Sequence, residues 1–215
     1  MPSEPLLLAF DTSAAHCAAA LLRGQTLLGA RAEPMARGQA ERLIPLLEEV
    51  LAGAGVGWRD LDALAVGTGP GNFTGIRIAV AAARGLALGL GRPAIGVSVP
   101  EARAEGMERP LCVVEQAPRG QVCMQRFDPD ASAPRLVALT ELAGHAASLP
   151  LAGSAAQEAH DLTGQPLRAP RYPLAEGIAR VAVARLGSAQ PRPAPLYLRP
   201  PDAAPPAEAP PVLLP

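Results

Sequence analysis

The chain has 215 residues, 49% of them hydrophobic and 3% aromatic, with a formal net charge of -1. That length suits one large domain or two small lobes, and the hydrophobic share excludes a disordered chain. All 19 basic residues are Arg, which excludes a Walker-type phosphate loop and Schiff-base chemistry. The charge balance argues against strong stand-alone nucleic-acid binding, although a local arginine patch is compatible with it.

The apolar run 6–10 ends in Asp11-Thr12-Ser13 and predicts a buried strand closing in a polar turn. Runs 17–22 and 26–30, separated by Gly24, predict a hairpin and hence an opening three-strand meander. Residues 39–54 predict a helix with Leu43, Leu46, Leu47, Val50 and Leu51 on one face, and Pro45 either starts its regular part or kinks it. A strand at 63–66 leads into the glycine-rich loop 67–75, and a helix over 74–90 should follow. After a strand at 94–97, Ser98-x-x-Glu101 has capping-box spacing with Pro100 in the first turn. This order of a meander followed by helix-separated strands fits an RNase-H-like α/β lobe with a mixed sheet.

Residues 111–114 and 122–127 read as two strands, Thr140 as the cap of a helix over 141–147, 149–152 as a strand, and 174–186 as a final helix ended by Gly187. Pro and Ala dominate afterwards, and 201–215 has the composition of a disordered tail. The expected division is an N-terminal lobe over 1–100, a second, smaller and less regular lobe over 101–200, and that tail.

Asp11, Thr12 and Ser13 place short polar side chains at the end of a buried strand, where they suit a phosphate or a metal-bound water; taken alone, the turn is more simply one that satisfies its own backbone. In the loop, Gly67, Gly69, Pro70, Gly71, Phe73, Thr74 and Gly75 precede a helix N-terminus that favours an anion. No Lys follows, and Asn72 stands where a dinucleotide fingerprint needs its third Gly. Ala81, Ala82, Gly85 and Gly89 allow close approach at an interface or within a core. His16, His145 and His160 form no i, i+4 pair, so no metal site is expected, and His16 should face solvent. The three cysteines, with no CxxC, read as reduced thiols. The N-terminus lacks the basic region of a signal peptide, and no uninterrupted apolar stretch reaches membrane-helix length.

Three segments carry a resemblance. Leu7-Leu8-Ala9-Phe10-Asp11-Thr12-Ser13, Ala40-Glu41-Arg42-Leu43-Ile44-Pro45-Leu46-Leu47 and Gly67-Thr68-Gly69-Pro70-Gly71-Asn72-Phe73-Thr74-Gly75-Ile76-Arg77 strongly resemble the bacterial TsaB family, also called YeaZ. The likeness is dense over 6–100 and patchy afterwards, with Pro195-Leu196-Tyr197-Leu198-Arg199-Pro200-Pro201-Asp202-Ala203 similar to the closing motif. The family commonly has His where Gln39 stands, and Asp-Ala-Arg-x-Gly-Glu-Val-Tyr where this chain has Gln116-Ala117-Pro118-Arg119-Gly120-Gln121-Val122-Cys123.

The resemblance implies two lobes of the actin and sugar-kinase superfamily. It implies a non-catalytic cytoplasmic subunit of the complex that transfers threonylcarbamoyl to N6 of adenosine 37 in tRNAs reading codons that start with A. The implied partners are the catalytic subunit TsaD, which carries the metal, the ATPase TsaE, and tRNA through the complex, with a homodimer in the partner's absence and no membrane. No cofactor is expected on this chain alone, while ATP or ADP fits the assembled interface. Gln39, Leu43, Leu47, Ile76, Arg77, Val80, Ala81 and Arg84, on the two first-lobe helices, are the expected partner contacts. Two other readings stand beside this one: a stand-alone ATP-dependent phosphotransferase or glycoprotease-like hydrolase, and a self-associating scaffold.

Overall fold

A computed structural model describes residues 4–199 except residue 147. The first sheet contains β1 (Leu6–Asp11), β2 (His16–Arg23), β3 (Thr26–Pro34), β4 (Ala63–Gly67) and β5 (Ala94–Val97) in the order β3-β2-β1-β4-β5. β1 pairs antiparallel with β2 and parallel with β4, so the sheet is mixed, as expected of an RNase-H-like lobe.

Side-chain alternation explains the unbroken apolar run of β1. Leu6, Leu8 and Phe10 join Cys17, Ala19 and Leu21 on one face, beneath the helices α1 (Gln39–Gly53) and α2 (Phe73–Leu90). Leu7 and Ala9 join Ala18, Ala20 and Leu22 on the other. A strand buried on both faces needs apolar residues at every position. β3 is the edge strand and is mostly exposed, and it carries the charged residues that protect such an edge. α1 runs continuously through Pro45 from Gln39, so Pro45 does not start it. α2 is long and apolar enough to cross a membrane by length and composition, but Ile76, Ala79, Val80 and Ala83 are buried against the sheet.

The second sheet contains β6 (Leu111–Ala117), β7 (Gln121–Asp128), β8 (Asp130–Ala131), β9 (Arg135–Ala138) and β10 (Leu151–Ala152). The hairpin β6–β7 is its centre, and β9 and the short β8 both pair with β7. One face is covered by α4 (Leu142–His145) and α5 (Ala156–Thr163) around Val114, Met124 and Leu151. Thr140 does not cap a helix: it lies inside a 3-10 turn, Leu139–Glu141, whose geometry leads straight into α4. The predicted end of that helix at residue 147, the tail 201–215 and the end of the closing motif (200–203) lie outside the described residues.

The division of the chain at residue 100 needs correction. The last helix, α6 (Leu174–Arg185), packs on the second face of the first sheet with α3 (Val99–Ala104), burying Leu174, Ile178 and Ala182 there. Gly177 permits this contact, because a Cβ on it would lie 2.3 Å from the Ala102 carbonyl oxygen. The first lobe is therefore assembled from both ends of the chain. α3 has the predicted capping box: Ser98 N–H donates to Glu101 Oε2 at 3.0 Å, and Glu101 N–H donates back to Ser98 Oγ at 3.4 Å.

Candidate functional site

The glycine loop lies directly on the Asp11-Thr12-Ser13 turn. Three of its glycines are required by contact: a Cβ on Gly67 would lie 1.9 Å from Asp11 Oδ2, on Gly71 2.2 Å from the Ser13 carbonyl oxygen, and on Gly75 1.9 Å from that of Thr12. Hydrogen bonds fasten the two segments. Thr12 Oγ1 donates to the Gly75 carbonyl at 2.7 Å, and Asn72 N–H donates to the Ser13 carbonyl at 2.6 Å. Gly69, at φ 93°, offers its carbonyl to Val99 N–H at 2.8 Å.

This closure removes the features that made the turn and loop a candidate phosphate site. Asp11, Thr12 and Ser13 are 0%, 0% and 2% exposed, so the turn is not open to a nucleotide phosphate. The donors at the start of α2 are also engaged: Asn72 Oδ1 caps Thr74 N–H and Gly75 N–H at 2.9 and 3.0 Å. An anion needs those N–H groups free. Among the described residues, no three His, Cys, Asp or Glu side chains gather to hold a metal.

Contrary to the expectation that it faces solvent, His16 is half-buried against the turn. Its Nε2 lies 2.7 Å from Asp11 Oδ1, the oxygen that also accepts Ser13 N–H and Ser13 Oγ at 2.9 and 2.8 Å. Asp11 Oδ2 is buried with no hydrogen-bond partner. Cys17 projects to the opposite face, into the core, where burial and the nearby Glu33 carboxylate push its thiol up to about 11.

The two first-lobe helices separate the expected contact residues into two groups. Leu43, Leu47, Ile76 and Val80 are core side chains, each no more than 3% exposed, and cannot reach a partner without unfolding the lobe. Gln39 is half-buried, its Nε2 donating to the Met35 carbonyl at 3.3 Å. Arg77, Ala81 and Arg84 are exposed, on the same outer surface as Gly85, the 86%-exposed Leu88 and, from α1, Ile44.

Sequence reasoning assigned no role to Tyr197, which the structure brings to this surface. Its ring centroid lies 5.2 Å from that of Phe73, and its hydroxyl accepts Arg77 Nε–H at 2.8 Å. The Arg77 guanidinium sits 3.6 Å above the Phe73 ring. Leu196 N–H donates to the Thr68 carbonyl at 2.8 Å, so the C-terminal segment is strapped across the loop. Asn72 was also missed as a cap, although an Asn just before a helix is the available signal.

Residues 29–132 match the family model for TsaD, tRNA N6-adenosine threonylcarbamoyltransferase. The chain is 41% identical over 103 residues to the tRNA threonylcarbamoyladenosine biosynthesis protein TsaB of Escherichia coli, covering 48% of this chain but 44% of that protein's length. It is 35% identical over 203 residues to an uncharacterized protein of Mycobacterium tuberculosis, covering 93% of this chain and 94% of the relative. Among solved structures, YeaZ from Pseudomonas aeruginosa superposes with a TM-score of 0.74 at 30% identity, over 90% of this chain and 100% of YeaZ. The likeness to YeaZ thus runs through both lobes, while the TsaB identity covers about half of the chain. The chain belongs to the TsaB/YeaZ family.

Proposed function

We propose that this chain serves threonylcarbamoyladenosine formation in tRNA as a non-catalytic cytoplasmic subunit that binds and supports the catalytic subunit TsaD. The observation that carries this reading is the closed loop. A chain whose phosphate-facing turn is covered by its own glycine loop keeps the scaffold of a nucleotide-binding lobe without its open cradle. Metal and chemistry then fall to the partner, and ATP or ADP to the assembled interface with TsaE. The outer face of α1 and the first half of α2 is the docking surface, with Arg77 and Ala81 as contacts.

The test is mass spectrometry of tRNA nucleosides after depletion of this protein in its host. Loss of threonylcarbamoyladenosine, restored by the wild-type gene and not by Ala81→Trp, supports the reading. An unchanged level of the nucleoside overturns it. The stand-alone phosphotransferase reading needs an open turn, and tight ATP binding by the isolated chain would revive it.

A further inference from the structure

The arginines of this chain divide into paired and unpaired groups. Arg31, Arg42, Arg103, Arg168, Arg180 and Arg185 each sit against a carboxylate. Arg84, Arg92 and Arg192 are exposed and, among the described residues, have no carboxylate, carbonyl or ring partner. These three line one groove of about 880 Å3 between the end of α2, β5 and the extended segment after α6. Among the described residues no carboxylate lines it, and its fourth arginine, Arg185, is neutralised by Glu101 and donates to the Gly96 carbonyl at 3.2 Å.

Three uncompensated guanidinium groups in one concave surface attract a polyanion, and their planar forks match phosphate oxygens. Among the described residues the groove contains no aromatic ring, so they offer no platform for stacking bases. Its chemistry reads a phosphate backbone rather than a sequence. Its concavity suits a strand more than a flat lipid surface. It also reconciles a net charge of -1 with RNA contact, because the positive charge is gathered locally.

We propose that the groove lined by Arg84, Arg92 and Arg192 binds the phosphodiester backbone of tRNA directly. The choice of tRNA as the polyanion rests on the proposed function; the anion-binding character of the groove does not.

The test is fluorescence anisotropy of labelled, unmodified tRNA with the full chain over a range of salt concentrations. Three proteins are compared: wild type, the groove variant Arg84→Ala/Arg92→Ala/Arg192→Ala, and a control, Arg23→Ala/Arg37→Ala/Arg59→Ala, which removes the same charge from exposed positions elsewhere. The groove variant is expected to bind at least about tenfold more weakly at low salt, with the slope of log affinity against log salt reduced by about 2. The control should stay within about twofold of wild type. Equal weakening of both variants, or of neither, overturns the proposal, as does absence of wild-type binding at about 50 mM salt. Two competitors identify other occupants. Displacement of tRNA by polyglutamate as readily as by unlabelled tRNA would assign the groove to an acidic protein segment. Arginine-dependent binding to phosphatidylserine vesicles, without tRNA binding, would assign it to a membrane; either result overturns the proposal. Nucleoside analysis of the depleted host is independent of these outcomes, so groove and function can fail separately.

Discussion

The carbonyl oxygen of Thr12 lies 1.9 Å from the point where a side chain on Gly75 would begin, while the Thr12 hydroxyl donates to the Gly75 carbonyl at 2.7 Å. Backbone of the turn after β1 and backbone of α2 therefore meet with no room for one methyl group. Gly75→Ala must push the helix off the turn, and the expected cost is about 3 kcal/mol or more of unfolding free energy in urea titration. Gly71→Ala, facing the Ser13 carbonyl at 2.2 Å, should behave alike. Gly85→Ala is the contrast: nothing lies within 4 Å of its Cβ position, and the isolated chain should gain about 0.5–1 kcal/mol.

The strap formed by the C-terminal segment depends on Tyr197. Tyr197→Ala removes its ring from Phe73 and its hydroxyl from Arg77, and should cost about 1 kcal/mol. Limited proteolysis should then cut within 186–199 faster than in wild type. Tyr197→Phe keeps the ring contact and should cut at an intermediate rate.

Acid stability should depend on Arg42. Its guanidinium reaches Glu33 at 2.6 and 2.7 Å and Glu49 at 2.7 and 2.8 Å, tying α1 to the edge strand β3. The hydrogen bonds from Arg42 hold both carboxyls below their ordinary value of 4.5. Groups depressed in the folded state stabilise it fully above their unfolded value, and that contribution is lost as pH falls through the folded value. Tm should therefore fall more steeply below about pH 4.5 in wild type than in Arg42→Ala. Equal slopes would show that the pairs are too solvated to matter.

The thiols should be inert in the native protein. Burial pushes Cys112 and Cys123 up to about 12, with the Glu115 charge adding to the shift at Cys123, and Cys17 stands at about 11. A disulfide-exchange reagent at about pH 8 should label none of the three free cysteines before unfolding and all of them afterwards. Labelling of native Cys17 would show that the edge strand opens readily.

The legible parts of this fold were those written in local periodicity. β1, β4 and α2 have unbroken or helical apolar patterns, and the capping box at Ser98 stands in four consecutive residues. β9 and α5 escaped notice because Arg135–Ala138 is only four residues long and Ala155, before α5, offers no capping side chain. The site was half legible. Glycines in the loop announced a close approach, but not whether a ligand or the chain itself would make it; that depends on Ser13 and Thr12 carbonyls brought in from sixty residues away. Leu43, Leu47, Ile76 and Val80, expected contacts by resemblance, lie in the core, because an apolar helix residue suits a core and a partner alike. The Arg77–Tyr197 contact joins positions 120 residues apart, and no sequence window contains both.

The return of α6 to the first sheet sets an order of events during synthesis. While a ribosome has delivered only the first hundred residues, Leu7, Ala9, Ala20 and Leu22 have no cover on their side of the sheet. That cover arrives when Leu174–Arg185 leaves the exit tunnel, after the whole second sheet has emerged. Until then the nascent chain presents an apolar sheet face that only the short α3 can cover, a substrate for a holdase chaperone. A premature stop anywhere before α6 should thus yield a product that aggregates or is degraded, even with the complete glycine loop and both outer helices encoded.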